Sequence, residues 1–367
     1  MKLSRISFSQ ISKYSQCPRS YKYYYVDRLR ERSVTAFLPF GSAIDEALNS
    51  ILTEFKNKKE ITCDYKTIFD EKWNTVKINK INYPLIDCTL VGYAKSDFIL
   101  DILKEEDFRF ISAKAKELEV EYTDLYEIKE QLEKEKNTHT ISESRHKFLN
   151  IINWLSLRRK GHLMLDAYVQ KIIPEIEYVV DVQKKVELTS DCGSTLVGYV
   201  DAIVKFKQDI EPCVLDNKTS SMFYTEEKIK FSQQLFIYAY ALGLSRVAYA
   251  VMSKNIKLDK RSTCTVCGHE SKSAHKTCNA VDENGKRCGG AWTLSVNPEC
   301  MTQVLRDRVE ENTKLVVIDN IAEINDAIKA KVFPKNLNTC TNLYGNPCPY
   351  LNFCWKNDKT NLEIFEE

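Results

Sequence analysis

The sequence has few features that would assign the chain to a membrane, a secretory route or a strongly charged binding class. No run of about 18 apolar residues occurs, and residues 1–15 lack the continuous apolar stretch of a signal peptide. We therefore expect a soluble, cytoplasmic protein, in the host cytoplasm if the gene is viral, with no membrane partner. The net charge of +2 is too small to indicate nucleic-acid binding, so any such contact must come from local basic clusters.

No internal repeat and no helix-turn-helix pattern stand out, so a sequence-specific reader of DNA is not indicated. The 367 residues are 43% hydrophobic and 28% charged, an ordinary globular balance that predicts one main domain with insertions. Thirteen cysteines in a chain without an export signal argue against a disulfide framework. Cysteines in such a chain more often bind metals, and their spacing indicates which metals.

Periodicity and composition divide the chain into four regions. They are a helical region over 1–160, an α/β core over 161–258, a Cys-rich insertion over 259–296 and a C-terminal part over 297–367. The N-terminal region is expected to begin with two short helices broken at Cys17-Pro18 and to contain a solvated helix or linker over 126–137. The C-terminal part is expected to begin with a helix over 299–331.

The core region reads as a sheet with a helix packed on it. Strands are predicted over 175–188, 196–206, 212–220 and 246–254, and one amphipathic helix is predicted over 223–244. The order β-β-β-α-β is typical of an α/β fold.

Two carboxylates and a lysine occupy the second and third predicted strands. Because side chains alternate along a strand, Asp216 and Lys218 project from one face, and Asp201 lies near the end of the preceding strand. Pairing of the two strands can place both carboxylates on one Mg²⁺ or Mn²⁺ ion, which could activate water for phosphodiester hydrolysis. Lys218 is expected to be protonated and to stabilise developing negative charge rather than to act as a base.

Gln234 and Tyr238 lie four residues apart, on one face of the predicted helix. They could position the lysine or hold substrate. The alternative is a core helix that contains one buried polar residue.

Three spaced motifs occur in order along these elements. They are Gly198-x-x-Asp201, Asp216-x-Lys218 and Gln234-x-x-x-Tyr238. In order and spacing they resemble the PD-(D/E)XK nucleases, and specifically their RecB-like exonuclease branch. The resemblance implies a restriction-endonuclease-like mixed sheet, metal binding by Asp201, Asp216 and the backbone carbonyl of Asn217, and hydrolysis of DNA at single-stranded or duplex ends. A helicase or recombination partner would fit such an exonuclease.

One position departs from that family's pattern. A histidine usually follows a glycine on an N-terminal helix, and the corresponding stretch here runs from Gly41 to Asp45. An aspartate can also ligate Mg²⁺ or Mn²⁺, so Asp45 is a candidate third ligand. Alternatively, Asp45 only caps or pairs, and the protein is a non-catalytic DNA-binding scaffold with a degenerate site. Glu177 is a further candidate acid, with a solvated strand-edge residue as its other interpretation.

Three C-terminal cysteines and one N-terminal cysteine form the first candidate cysteine set. They are Cys17, Cys340, Cys348 and Cys354. The split resembles the iron-sulfur clasp of RecB-like exonucleases, including CRISPR-associated exonucleases and the AddB nuclease subunit, and implies a 4Fe-4S cluster. A structural zinc at the same residues, or reduced thiols, are the alternatives.

The second cysteine set has the spacing of a zinc ribbon, C-x2-C-x10-C-x9-C. Its members are Cys264, Cys267, Cys278 and Cys288. Four thiolates suit a closed, structural Zn²⁺ site, in which His269 or His275 could replace a cysteine. The remaining cysteines fit no ligand spacing and are read as ordinary thiols: Cys63, Cys88, Cys192, Cys213 and Cys300.

Two clusters mix basic residues with aromatic or polar ones and could contact a phosphate backbone. The first comprises Lys22, Arg28, Arg30 and Arg32 with Tyr21, Tyr23, Tyr24 and Tyr25, and the second Arg158, Arg159, Lys160 and His162. Packing of the tyrosines around the cysteine cluster, with solvated arginines, is the alternative.

Overall fold

A mixed sheet of seven strands forms the centre of the computed structural model. The structure describes residues 5–365 apart from 79, 89, 94–96, 123, 126–129, 131–141, 190–194, 273–276, 284 and 342–346. Cys192, His275 and nearly all of the helix or linker predicted over 126–137 lie outside the described residues.

The thirteen strands of the described residues are distributed over one large sheet and three two-stranded pairs. They are β1 (Arg5–Ser7), β2 (Leu29–Glu31), β3 (Val34–Thr35), β4 (Thr75–Ile78), β5 (Ile81–Pro84), β6 (Val91–Gly92), β7 (Ile176–Thr189), β8 (Thr195–Phe206), β9 (Cys213–Ser220), β10 (Arg246–Cys264), β11 (Glu270–Ser271), β12 (Trp292–Arg308) and β13 (Leu362–Ile364). In the large sheet, β8 pairs with β1, β7 and β9, and β10 pairs with β9, β11 and β12. The β9–β10 pair is parallel, whereas β7–β8, β8–β9 and β10–β12 are antiparallel.

The α-helices are α1 (Phe8–Gln16), α2 (Pro18–Tyr21), α3 (Phe37–Lys58), α4 (Tyr65–Trp73), α5 (Glu105–Glu117), α6 (Glu143–Ala167), α7 (Glu226–Lys230), α8 (Gln233–Leu242), α9 (Glu311–Lys329) and α10 (Leu351–Lys356). π-helical turns at Lys22–Val26 and Tyr168–Ile172 continue α2 and α6. Short 3₁₀ turns lie at Leu85–Asp87, Leu100–Ile102, Ile173–Glu175 and Leu337–Thr339. Within the described residues, no helix is both long enough and apolar enough to cross a membrane.

The two short N-terminal helices form where the sequence predicts them. Ser7 caps α1 reciprocally with Gln10, because the Gln10 amide donates to Ser7 Oγ at 3.3 Å and the Ser7 amide donates to Gln10 Oε1 at 2.7 Å. The break at Cys17 follows from Pro18, which begins α2 at a position where no amide donor is needed.

Helices cover both faces of the large sheet. One apolar core joins α3, α4 and α6 to one face, and a second joins α1, α8 and α9 to the other. Neighbouring residues of β9 illustrate the alternation, since Val214 belongs to the second core and Leu215 to the first. Asp216 and Lys218 therefore share the face of Val214, on the side of α8.

The predicted order β-β-β-α-β is present, with two differences. The helix predicted over 223–244 is divided into α7 and α8 at Ser232. The Leu235 amide donates to Ser232 Oγ at 3.3 Å and so caps α8, and the same oxygen lies 2.6 Å from the Tyr249 hydroxyl. The fourth strand is also longer than predicted, since β10 continues to Cys264.

The helix predicted from residue 299 is wrong over its first ten residues. Residues up to Arg308 belong to β12, which pairs antiparallel with β10 from Arg246↔Arg308 to Cys264↔Trp292, with one bulge between Met252 and Ile256. The long edge of β10 provides backbone partners for this segment, and tertiary pairing outweighs local preference. The Cys-rich insertion therefore lies at the tip of a long β-hairpin.

Candidate active site and cysteine sites

Asp201 and Asp216 lie where β8 and β9 begin to separate. The last paired residues are Ala202 and Leu215, and the two aspartates are the next residues on each strand. Asp201 Oδ2 accepts a hydrogen bond from the Asn217 amide at 2.9 Å, which links the two strands beyond their last pair. The predicted proximity of the two carboxylate-bearing positions is thus present in the structure.

Lys218 faces Asp216, as the alternation of side chains predicts. Its Nζ lies 2.6 Å from Asp216 Oδ2, an oxygen that makes no hydrogen bond of regular geometry to any described residue. Asp216 is only 3% exposed. A buried carboxylate oxygen whose close neighbour is a single ammonium group can accept a further cation.

The electrostatics of this site favour the uptake of positive charge. Burial raises the pKa of Asp216 to about 7, with Lys218 opposing the shift and Asp201 and Asp45 adding to it. Burial also raises the pKa of Asp201. For Lys218, burial alone would lower the pKa, but attraction to Asp216 and Asp201 outweighs burial and raises it. Burial is the largest cause of the shifts at both aspartates, and the excess of carboxylates over cations adds to the shift of Asp216 and raises the pKa of Lys218.

Asp45 reaches the same site from α3. Its side chain retains solvent access, but the surrounding protein removes enough water to raise its pKa to about 6, and the charge of Asp201 adds to this shift. Lys218 acts in the opposite direction. Asp45 thus neighbours the two strand carboxylates, and within the described residues it has no ion pair or capping contact of its own.

Gln234 and Tyr238 approach the site from α8. Gln234 hydrogen-bonds the Tyr238 hydroxyl, and Tyr238 is close enough to Asp216 and Asp201 for both charges to raise its pKa, although burial is the larger cause. Gly198 on β8 makes room for this ring, because a Cβ there would lie 2.6 Å from Tyr238 Cε1. The Gly-x-x-Asp and Gln-x-x-x-Tyr motifs are therefore coupled by packing.

Asn217 lies between Asp216 and Lys218 on β9, and its side chain points to the opposite face of the sheet. Its Oδ1 accepts a hydrogen bond from the buried Tyr168 hydroxyl at 3.1 Å. The side chain is thereby occupied, so that only the backbone of Asn217 can serve the carboxylate site.

Gln183 is a site residue that sequence reasoning missed. It lies directly across from Asp201, between the pairs Val182↔Ala202 and Lys184↔Val200, and it hydrogen-bonds the Asp201 carboxylate. Its backbone has φ of 50°, a left-handed conformation that is unfavourable for a residue with a Cβ. No sequence pattern marks this position.

Gln183 also connects the sheet to the helix that carries Asp45. Its Nε2 donates to Asn49 Oδ1 at 3.0 Å, and Asn49 lies one turn after Asp45 on α3. A second link is the ion pair of Lys56 with Asp181 at 2.9 Å. The strained residue thus holds two ligand-bearing elements together.

Three carboxylates and a backbone carbonyl form a donor set that suits a hard divalent cation. The buried Asp216 oxygen without a regular hydrogen bond supports this fit. The donors would be Asp45, Asp201, Asp216 and Asn217, and the three carboxylates are more widely spaced than the ribbon sulfurs, because among the described residues only the ribbon group meets a mutual spacing of 4.8 Å.

The second cysteine set converges to one point in the structure. The sulfur atoms of Cys264, Cys267, Cys278 and Cys288 all lie within 4.8 Å of one another. Cys264 Sγ is 3.5 Å from Cys288 Sγ, and Cys267 Sγ is 3.7 Å from Cys278 Sγ. A tetrahedral ion with Zn–S bonds of about 2.3 Å requires sulfur separations of about 3.8 Å, so the four residues fit zinc geometry.

Backbone amides support this arrangement. The pKa of Cys264 is lowered to about 6, chiefly because the amides of Cys267 and Val266 donate to its sulfur. Gly290 is required beside it, since a Cβ there would lie 2.6 Å from Cys264 Sγ. His269 packs near Trp292 at 6.2 Å between ring centroids and is not part of the four-residue group.

The first cysteine set surrounds a shared cavity. Cys17, Cys340, Cys348 and Cys354 all line it, together with Arg19, Tyr23 and Trp355. Among the described residues, the ribbon cysteines are the only group of three or more metal-ligand residues that meets the 4.8 Å spacing. The four terminal cysteines are therefore close but more widely spaced than the ribbon set.

The chain termini are bound to each other around this cavity. The Tyr350 hydroxyl donates to the Leu29 carbonyl at 2.9 Å, and the Tyr14 hydroxyl donates to the Val332 carbonyl at 2.6 Å. Strand β13 pairs with β2. The N-terminal and C-terminal segments thus form one unit.

Two tyrosines of the first cluster pack inside the fold, and one of them, Tyr23, lines the cavity of the terminal cysteines as the packing alternative predicts. Tyr23 is buried against Phe353 at 4.9 Å and Tyr350 at 5.4 Å, and Tyr21 is buried against Tyr14 at 5.5 Å.

The second basic cluster is also engaged within the protein. Arg158 and His162 both pair with Asp70, at 2.5 and 2.8 Å, and Arg159 pairs with Asp107 at 2.6 Å. Lys160 is only 2% exposed. These side chains are therefore engaged inside the fold, and a role in contacting a phosphate backbone is not supported.

The remaining acidic and cysteine candidates lie apart from the sites. Glu177 is an exposed strand residue paired with Lys205, in agreement with its solvated interpretation. Cys88, Cys213 and Cys300 are buried free thiols, and Cys63 is a partly exposed one. Burial raises the pKa of Cys213 to about 12 and that of Cys300 to about 11, so both are unreactive near neutral pH.

The protein has a restriction-endonuclease-like fold. Its mixed sheet is covered by helices, and its carboxylates lie where β8 and β9 separate. The profile of the PD-(D/E)XK nuclease superfamily matches residues 5–355, and the chain belongs to this superfamily. The predicted fold class is confirmed, and membership of a nuclease family supports a metal-dependent nuclease activity on DNA. No curated protein matches the chain.

Proposed function

We propose that the protein is a Mg²⁺- or Mn²⁺-dependent deoxyribonuclease of the RecB-like branch that degrades DNA from ends. Recombination, repair or phage-type DNA processing would use such an activity. The observation that carries the proposal is the convergence of Asp201, Asp216 and Lys218 with Asp45, from two strands and a distant helix, at a site with excess negative charge.

The reaction is hydrolysis, in which a water oxygen bonds to phosphorus, the P–O bond to the leaving sugar oxygen breaks, and that oxygen takes up a proton. Asp45, Asp201, Asp216 and the Asn217 carbonyl would hold the ion, and a bound Mg²⁺ or Mn²⁺ supplies Lewis-acid activation of water and phosphate. Lys218 remains protonated because its pKa is raised, so it stabilises negative charge on the phosphate oxygens.

Gln234 and Tyr238 act as positioning residues in this proposal. Tyr238 fills the space over Gly198, and Gln234 orients the Tyr238 hydroxyl toward the carboxylate site. Gln183 supports Asp201 from the opposite strand. Together they hold the reacting groups in one geometry before substrate arrives.

The two cysteine sets are assigned different cofactors. Sulfur spacing and amide donors favour structural Zn²⁺ at Cys264, Cys267, Cys278 and Cys288. The wider arrangement of the terminal cysteines around a cavity favours a 4Fe-4S cluster, because each thiolate of such a cluster binds a different iron at the corner of a cube. Analysis of anaerobically purified protein should find about four iron atoms and one zinc per chain. Two zinc ions and no iron would overturn the cluster assignment.

The activity is tested with end-labelled single- and double-stranded DNA and Mg²⁺ or Mn²⁺, comparing the native protein with Lys218→Ala and Asp216→Ala. Both variants should lose cleavage while keeping the visible absorbance of the cluster. Lys205→Ala, which removes a lysine of β8 paired with Glu177, is the matched control and should cleave normally. Absence of cleavage by the native protein with either metal, together with retained DNA binding, would instead identify a non-catalytic scaffold.

A further inference from the structure

A cavity of about 360 Å³ opens beside the N-terminal half of α3. Six of the residues that line it are polar or exposed: Leu38, Ser42, Lys72, Thr75, Lys77 and Asn82. They come from α3, from the last turn of α4 and from the β4–β5 hairpin. Its volume lies within the range of ligand-binding clefts.

The charged side chains that line this cavity are all positive. Lys72 and Lys77 line it, no carboxylate does, and neither lysine forms an ion pair or hydrogen bond with any described residue. Other lysines of α3 and α4 have acidic partners, since Lys58 pairs with Glu54 at 2.9 Å and Lys66 pairs with Asp166 at 2.7 Å. Two uncompensated ammonium groups in a concave surface attract an anion, and the Ser42 and Thr75 hydroxyls and the Asn82 amide are additional donors.

Residues of the cavity and of the carboxylate site lie along one face of α3. Leu38, Ser42, Asp45 and Asn49 follow at spacings of four, three and four residues, which place them on the same side of the helix. Ser42 lines the cavity and Asp45 faces Asp201, and three residues of helix span about 4.5 Å. Phosphates of one strand of duplex DNA follow at about 3.4 Å along the axis, so the edge of the cavity at Ser42 lies about one nucleotide from Asp45 along α3.

We infer that this cavity binds an internal backbone phosphate of the DNA strand, next to the phosphate that is cleaved, through Lys72 and Lys77. The inference rests on the proposed function and adds to it the path of the strand along α3. The exposed Leu38 side chain, 68% accessible, would then contact the sugar or base rather than the phosphate.

The test is equilibrium binding of a fluorescein-labelled single-stranded oligonucleotide, measured by anisotropy over a salt series without added divalent metal. The Lys72→Gln/Lys77→Gln double variant should bind roughly tenfold more weakly near 0.1 M salt. The slope of log affinity against log salt should fall in magnitude by about 1.4, which corresponds to two contacts with a single strand. Lys72→Arg/Lys77→Arg should keep the native slope.

The matched control is Lys116→Gln/Lys207→Gln, which removes two exposed lysines of α5 and of the segment after β8 with the same change in net charge. Thermal unfolding and Mn²⁺ binding should be unchanged in both double variants. Equal affinity and equal slope in the cavity and control variants would overturn the inference.

Two further arms separate the causes of failure. Oligonucleotides with a 5′-hydroxyl or 5′-phosphate should show the same loss, and a loss confined to the phosphorylated one would overturn the internal-phosphate assignment. If the native protein cleaves DNA but the cavity variants bind normally, the cavity inference alone fails. If the native protein neither binds nor cleaves DNA, the proposed function fails, and the inference fails with it.

Discussion

The carboxylate site and the ribbon cysteine site differ in what supports the negative charge of their ligand residues. At the carboxylate site, burial and crowding raise the pKa values of Asp45 and Asp216. At the ribbon, amide donors lower the pKa of Cys264 to about 6, whereas burial raises the pKa of Cys278 to about 12 and the neighbouring cysteines contribute to a raised pKa of Cys288. The carboxylate site thus opposes the charge of both aspartates, whereas the ribbon favours one thiolate through backbone amides and opposes the charge of two others.

Under the proposed function, this difference separates a reactive site from a structural one. A closed set of four thiolates supported by amides binds its ion for stability. Uncompensated carboxylates lower the free energy of unfolding, and such a site is retained because activity requires it. The following predictions test this contrast.

The largest effect is expected at the ribbon. Cys278→Ser should lower its zinc content from about one ion per chain to about zero, because a closed four-cysteine site does not tolerate the loss of a buried thiolate. Hydrogen exchange should then rise in residues 264–290, while cleavage and Mn²⁺ binding are kept. Cys300→Ser, at a buried thiol outside the group, is the control. Loss of cleavage in Cys278→Ser alone would show that the two sites are coupled.

The second effect is expected at Asp216. Asp216→Asn should reduce cleavage by more than about a hundredfold, since a metal donor and a charge are lost together. The same variant should unfold at a higher temperature than the native protein without metal, because a buried and crowded carboxylate is removed. A variant that is both inactive and less stable would contradict the contrast between the sites.

A smaller effect is expected at Gln183, which supports Asp201. Gln183→Ala should weaken Mn²⁺ binding, measured by electron paramagnetic resonance, by about 10- to 100-fold. Gln183→Gly should lose the same contact but be more stable than Gln183→Ala by about 1 kcal/mol, because φ of 50° suits glycine. Equal stability of the two variants would argue against backbone strain.

The smallest effect is a dependence of stability on pH without metal. Because folding raises the pKa of Asp216 to about 7 and that of Asp45 to about 6 from 3.8, the folded state holds more protons than the unfolded state. This contribution to stability is complete below about pH 4 and is lost as pH rises through 6 to 7. Denaturant titrations between pH 5 and 8 should show the decline, and Asp216→Asn should flatten it. A rise in stability over this range that Asp216→Asn abolishes would refute the assignment.

Much of the core could be predicted from local pattern. The strands containing Asp201 and Asp216 agree with β8 and β9 to within one residue at each end, because runs rich in Val, Ile and Leu favour strands that are buried on both faces. The helix prediction from residue 299 was wrong, because the strand in this segment forms only by pairing with the edge of β10. Local preference does not register a partner strand that lies forty residues away in the chain.

The site residues also divide into those that local sequence pattern predicts and those that it does not. Lys218 faces Asp216 because strands repeat every two residues, and the ribbon cysteines meet because their knuckles are local. Gln183 carries no local signal, because its role depends on its left-handed backbone conformation in β7 and on Asn49 from α3.

By itself, the sequence determined the chemical groups and the local geometry: the Asp-x-Lys strand, the Gln-x-x-x-Tyr helix face and the four-cysteine ribbon. Only the tertiary structure decided that Asp45 joins the strand carboxylates, that Cys17 shares a cavity with Cys340, and that Lys72 and Lys77 face an open cleft. The physical reason is distance along the chain. Spacing within one element follows from backbone periodicity, whereas meetings between distant segments depend on how helices pack on the sheet to bury its apolar faces.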